Sequence, residues 1–361
     1  ELTEEQITAE YERTLGVMVK DTVCEGGGGG SSSPTNVTSS VMVSDLSVWE
    51  DTGATMPEWR LGAATFVAGG KIWKICGQTD NDETTNHIIT ASVSDPLTWG
   101  SSSVAFPVAL SYPFYYVVDE KAYIAGGKTI GTTQVDTIYS ASLDDLENWS
   151  DTGGTLPATR DRFGGGNQHL FVTKDKIAIV CSYNRPSNNG DQSIYTASIA
   201  DPTDWGDSGV NFPADRMGGV PYHVNGKLYV AGGADGGSSF ATDEIYVADE
   251  SDVTTWYELT DVLPVANGYM GGIVAGNQVW MVGGRTTGGT RVSEIYAAPV
   301  DQPTNFRLVG HLPTDGITYN IVLISGSAYM FNINDNSGGS GYDVIFRTVG
   351  SISASVKGNI L

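Results

Sequence analysis

The chain is poor in basic residues, cysteine, histidine and long apolar runs. It carries 19 Lys and Arg against 42 Asp and Glu, a net charge of −23 at pH 7. Such a field repels phosphate backbones and anionic lipid, which argues against nucleic acid and membrane as partners. No segment approaches the ~18 consecutive apolar residues that a spanning helix needs. Three cysteines, Cys24, Cys76 and Cys181, are odd in number and far apart, so a disulfide framework is not expected. Cys76 and Cys181 end apolar strand-like runs (IWKIC, IAIVC) and read as buried free thiols. Four histidines, at 87, 169, 223 and 311, show no ligand spacing, so neither metal nor cofactor is expected. The oxygen-rich stretches DNDE (Asp80–Glu83) and NINDN (Asn332–Asn336) lack calcium-loop spacing and read as solvated loops.

What is present is a repeat. Asp45/Trp49, Asp95/Trp99, Asp145/Trp149, Asp201/Trp205, Asp252/Trp256 and Asp301/Phe306 recur with aromatic-to-aromatic steps of 50, 50, 56, 51 and 50 residues. A period of that length with strand-like content marks a ring or solenoid of small sheets. The 46 glycines and 10% aromatics fit short strands joined by turns. The fourth repeat shows the parts: a strand at Val220–Val224, an Asn225-Gly226 hairpin turn, KLYVAGG, a polar loop, DEIYVAD, and a final strand at Trp256. In each pair the Asp reads as a turn cap and the aromatic as inter-blade packing.

Before the repeats, Glu1–Lys20 reads as a short helix capped at Thr3, with Leu2, Ile7, Tyr11 and Leu15 on one face. That face offers a self-association surface. Residues 21–35, with Gly26–Gly30 and Ser31–Ser33, read as a tether, and 36–361 as the repeat domain. The start at Glu1, without Met or signal-peptide pattern, reads as a piece of something longer. The stretch LTEEQITAEY also resembles the closing helix of laminin-G-like jelly rolls in adhesins, which would place a lectin-like domain upstream.

Gly-Gly after an apolar strand, then an "IY" strand, then Trp a dozen residues on (KAYIAGG…DTIYSAS…NW; QVWMVGG…SEIYAAP…NF) resembles the kelch-like, galactose-oxidase-type β-propellers. The resemblance implies an all-β propeller of four-stranded blades. It departs at Cys76-Gly77, Cys181-Ser182 and Phe331-Asn332, where Gly-Gly would stand. The Tyr, His and modified Cys of the copper oxidases in this group have no assignable counterparts. Counting pieces gives six blades, seven being the alternative count. Closure is expected from two N-terminal strands, within Asn36–Asp51, pairing with the last two inner strands and leaving Asp343–Leu361 spare.

In such blades the long loops and the inter-blade connections share one face. The residue three after a common Pro falls there at Arg60, Leu110, Arg160, Arg216, Asn267 and Gly316. Arg60, Arg160, Arg162 and Arg216, with Trp59, Tyr112, Tyr269 and Tyr319, are therefore the candidate ligand-binding residues. Guanidinium forks suit carboxylate or sulfate and aromatic faces suit sugar. For Arg60, Arg160 and Arg216 the competing reading is pairing within the ring. No catalytic set emerges. The expected role is a non-enzymatic structural or adhesion protein of a virion or cell surface, of the phage tail-fibre or receptor-binding type. It would present the propeller to cell-surface glycan or other virion subunits. The alternative is a secreted polysaccharide-active enzyme or carbohydrate-binding module.

Overall fold

The computed structural model describes residues 42–43, 45–79, 83–161, 168–184, 189–235, 241–318, 320–334, 342–349 and 352–353. They build a six-bladed β-propeller of four-stranded antiparallel sheets. No α-helix occurs among the described residues, and the helix expected over 1–20 and the tether over 21–35 lie outside them.

From inner to outer edge, blade one is Ala64–Ala68, Lys71–Ile75, Thr85–Ser92 and Asp95–Leu110. Blade two runs Phe114–Val118, Lys121–Ala125, Thr137–Ser142, Asp145–Thr155, and blade three Leu170–Val172, Lys176–Asn184, Asn189–Ser198, Asp201–Asn211. Blade four is Val220–Val224, Lys227–Ala231, Glu244–Asp249, Asp252–Val262, and blade five Gly271–Ala275, Gln278–Val282, Glu294–Pro299, Arg307–His311.

Blade six closes the ring differently from the expectation. Ile321–Ile324, Ser327–Asn334 and Tyr342–Thr348 supply three strands, and the N-terminal Trp49–Thr55 supplies only the outermost. The supposedly spare Asp343–Thr348 is thus a structural strand. It buries Ile345 and Phe346 in the clusters on its two faces, which the sequence pattern alone did not reveal. Met42–Val43 pairs with Ile352–Ser353 outside the blade, so both ends of the described chain leave side by side.

The core is not central but divided into six wedges between neighbouring blades. Trp149, Trp205, Trp256, Phe306 and Trp49 each enter a separate wedge, and Trp99 packs against the sixth. The indole N–H groups of Trp49, Trp99, Trp149, Trp205 and Trp256 each donate to the carbonyl three residues earlier, at 2.7–3.1 Å. Asp45, Asp145, Asp201 and Asp252 accept the amide of the residue two further on, bending the same turn. The repeating pairs are therefore turn-and-wedge devices.

The end of the second strand of each blade turns through a left-handed residue. These are Cys76, Gly126, Cys181, Gly232, Gly283 and Asn332, with φ between 59° and 78°. The sixth counterpart is thus Asn332, one residue later than the sequence alignment of repeats suggested. A Cβ on Gly126 would lie 2.7 Å from the Arg160 carbonyl oxygen and 2.9 Å from Leu156 Cδ1. Gly126→Ala should therefore cost at least about 2 kcal/mol in denaturant unfolding. Gly69→Ala, with φ +58° and open space around its Cβ, should cost about 1 kcal/mol.

Candidate functional site

The long loops and the inter-blade connections meet at one face of the ring, around the inner strands. Register places Arg60, Leu110, Arg160, Arg216, Asn267 and Gly316 at equivalent positions, each at the end of the connection into the next blade. In sequence the connection into blade three is longer: Trp149 to Phe171 spans 22 residues, against 17 from Trp205 to Tyr222.

The arginines at these positions turn inward. Arg60 is 1% exposed; its Nη2 donates to Glu58 Oε2 at 2.8 Å, and Nη1 reaches the Cys76 carbonyl at 3.4 Å. Burial lowers its affinity for the proton, partly opposed by Glu58. Arg160 donates through Nε to Asp191 and through Nη1 to the Thr159 carbonyl at 2.8 Å. Arg216, 3% exposed, pairs with Glu244, lies 5.2 Å from the Tyr246 ring centre and reaches its hydroxyl at 3.2 Å. Burial works to raise the Asp191 carboxyl. The Ser193 amide and hydroxyl and the Arg160 guanidinium outweigh it, holding that group below the usual carboxylate value.

The aromatics turn inward too. Tyr112 and Tyr269 occupy equivalent left-handed positions (φ 55° and 58°), where blades one and four have Gly62 and Gly218. Each ring lies where a side chain on the preceding blade's glycine would be, and each amide donates to that glycine's carbonyl, at 2.9 and 2.6 Å. Leu61, Tyr112, Ala234, Tyr269 and Ile317, from five blades, form one apolar cluster, with Trp59 packed against it. Lys128 Nζ sits 5.7 Å from the Tyr112 ring centre. Arg162 and Tyr319, the other two candidates, lie outside the described residues.

Below this cluster a polar belt, missed in the sequence, links the inner strands. Asn320 Nδ2 donates to Thr65 Oγ1 at 2.8 Å, and the Tyr115 hydroxyl donates to Asn320 Oδ1 at 3.4 Å. The Tyr115 amide donates to Gln168 Oε1 at 2.7 Å, and Gln168 Nε2 returns a bond to the Tyr115 carbonyl. His169 Nε2 lies 3.2 Å from the Gly219 carbonyl. Asn320 of blade six thus holds both blade one and blade two, and further bonds join blade two to three and three to four. The only sequence signal was a polar residue just before an apolar strand. Among the described residues, no three His, Cys, Asp or Glu side chains converge as ligands for a metal ion.

No protein-family model matches the chain, and no curated protein matches it either.

The arrangement makes two stability predictions. Arg216→Ala leaves the partly exposed Glu244 with only the Tyr246 hydroxyl and opens a buried gap, and should cost about 3 kcal/mol in denaturant unfolding. Burial, aided by Arg216, holds His169 down to about 4, against an ordinary value of 6.5. The unfolded chain therefore takes up this proton first as pH falls. Stability should drop between about pH 6.5 and pH 4, by at most roughly 3 kcal/mol from this group. His169→Gln, which keeps a donor for Gly219, should remove that part of the acid sensitivity; an unchanged slope would show that His169 is not its source.

Proposed function

We propose that the protein is a non-enzymatic structural or adhesion module of a virion or cell surface, of the tail-fibre or receptor-binding type. The propeller presents its outer surfaces to glycan or to partner subunits. The observation that carries this reading is the fate of the groups best suited to chemistry at the mouth. Arg60, Arg160 and Arg216 each pair with a carboxylate of the same ring, and Tyr112 and Tyr269 are buried in the cluster between blades. What such a ring offers outward is a rigid, acidic surface, suited to display rather than turnover. The kelch-like lineage is part of the same proposal, supported by the left-handed corner after each second strand. The net charge of −23 supports a setting outside the cell.

The test is two assays on the full chain. One is an array of neutral, uronic and sulfated glycans; the other measures release of reducing ends from the matching polysaccharides. Attachment without release is the expected result. Release that disappears in Arg160→Ala, with the fold intact, would replace this reading with the polysaccharide-active enzyme.

A further inference from the structure

The six blades can be compared position by position, and one of them departs at its outer edge. In the row that runs from the inner strand to the rim, blade four places Tyr222, Tyr229, Val247 and Tyr257 side by side across its four strands. Tyr222 and Tyr229 stack at 4.7 Å with an interplanar angle of 2°. The outermost position of this row is Gly100, Ser150, Gly206, Arg307 and Glu50 in blades one, two, three, five and six. Two residues further along the same strand, blades one, two, three and six have Ser102, Thr152, Ser208 and Thr52, where blade five has Val309 and blade four Leu259, so the rim position of Tyr257 is the one at which blade four stands apart. Tyr257 is 63% exposed, and the ring does not need it for packing.

The departure coincides with a groove of about 380 Å³ lined by Tyr229, Tyr257, Leu259, Lys227, Asp249 and Asp252. It opens beside the Asn225-Gly226 turn and the Asp249–Asp252 turn, at the face opposite the loop-rich mouth. One wall is aromatic and aliphatic. The rim is polar: Lys227 Nζ spends one of its donors on Asp249 Oδ2 at 2.9 Å, and an ammonium has three. Thr254 donates to Asp252 through its amide at 3.1 Å and its hydroxyl at 2.7 Å, which fixes that carboxylate in place.

We infer that this groove is a binding site for a neutral pyranoside, the C–H face of the sugar lying on Tyr257 and Leu259 and its hydroxyls meeting Lys227, Asp249 and Asp252. The apolar wall is too short for a helix or acyl chain and ends in charged groups. A pyranose matches that division, apolar on its faces and hydroxylated at its edge. Two carboxylates against one ammonium, in a chain of net charge −23, disfavour uronic and sulfated sugars. The inference rests on the adhesion reading and names its ligand class.

The test titrates the full-length chain with methyl glucoside, galactoside, mannoside and N-acetylhexosaminides by ligand-observed NMR, with light scattering in parallel. The expected result is saturable binding of at least one of them, little changed by salt. Tyr257→Ala should weaken it by about tenfold or more, and Tyr257→Phe should retain it, since Phe keeps the stacking face. Tyr257 is exposed, so both variants should fold. No binding of any neutral glycoside, or binding indifferent to Tyr257→Ala, would overturn the inference. So would a dimer that Tyr257→Ala dissolves, which would make the groove a contact between copies. Array attachment that survives Tyr257→Ala would leave the adhesion reading standing with its site elsewhere, whereas polysaccharide turnover would remove that reading itself.

Discussion

The ring depends on one backbone contact repeated between blades. After the second strand of a blade, the chain turns through a left-handed residue, and the next amide points at the connection leaving that blade. Gly77, Gly127, Gly233 and Gly284 donate in this way to the carbonyls of Leu110, Arg160, Asn267 and Gly316, at 2.7–2.9 Å. In blade six the Asn332 side chain performs the equivalent step, donating from Nδ2 to the Arg60 carbonyl at 2.6 Å. Connections into the inner strands would otherwise bury unpaired carbonyls, a cost of about 1–3 kcal/mol each. The close approach explains why Gly dominates the corner. Cys76 and Cys181 are tolerated there because their thiols reach the Val108 and Ala214 carbonyls, each at 3.8 Å.

That constraint decides what the mouth of the ring can be. The residue whose carbonyl is held at the corner has its side chain directed into the ring, so an Arg at this position must find a partner inside. Arg60 and Arg216 do so with carboxylates that reach in from partly exposed positions, Glu58 and Glu244. Removing such a charge from water is repaid only when geometry is good and its donors are used, and both guanidinium Nε atoms remain without a partner. These arginines are thus retained at some energetic expense, which fits a role in fixing how neighbouring blades meet. Glycine in blades one and four makes room for the tyrosine of the next blade, so packing at the mouth is written into two Gly–Tyr pairs, Gly62 with Tyr112 and Gly218 with Tyr269.

The architecture was legible because it is periodic. A 50-residue recurrence of Asp and aromatic survives substitution of Trp by Phe306 and points to six blades, with seven as the alternative count. Ring closure was not legible in the same way. Tyr342–Thr348 joins a sheet whose outer strand lies almost 300 residues earlier, and no local pattern records that pairing. The corner of blade six was displaced by one residue for a related reason, since Asn332 replaces a glycine by supplying both the left-handed φ and the missing donor. Arg60, Arg160 and Arg216 were found from their spacing to a proline. Asp191 is 31 residues from Arg160, and only the folded sheet shows that the two meet.

A ring whose core lies in wedges between blades leaves its outermost strands with little structural duty. Their outward positions need only stay soluble, and at the rim position that Tyr257 fills the other five blades do so with Gly100, Ser150, Gly206, Arg307 and Glu50. Where five blades obey one rule, the residue that breaks it in the remaining one carries information that composition cannot. Tyr257 breaks it, with Leu259 two residues on, beside a lysine and two aspartates held by their own turns. An apolar wall exposed to water costs roughly 25 cal/mol for each Å² that could have been buried. In blade four Leu259 packs in part against the wedge between blades four and five, but nothing in the packing of the ring compensates the exposed face of Tyr257. A ligand that covers the wall would, so the same periodicity that defines the fold also singles out the place where the fold alone does not account for the residues.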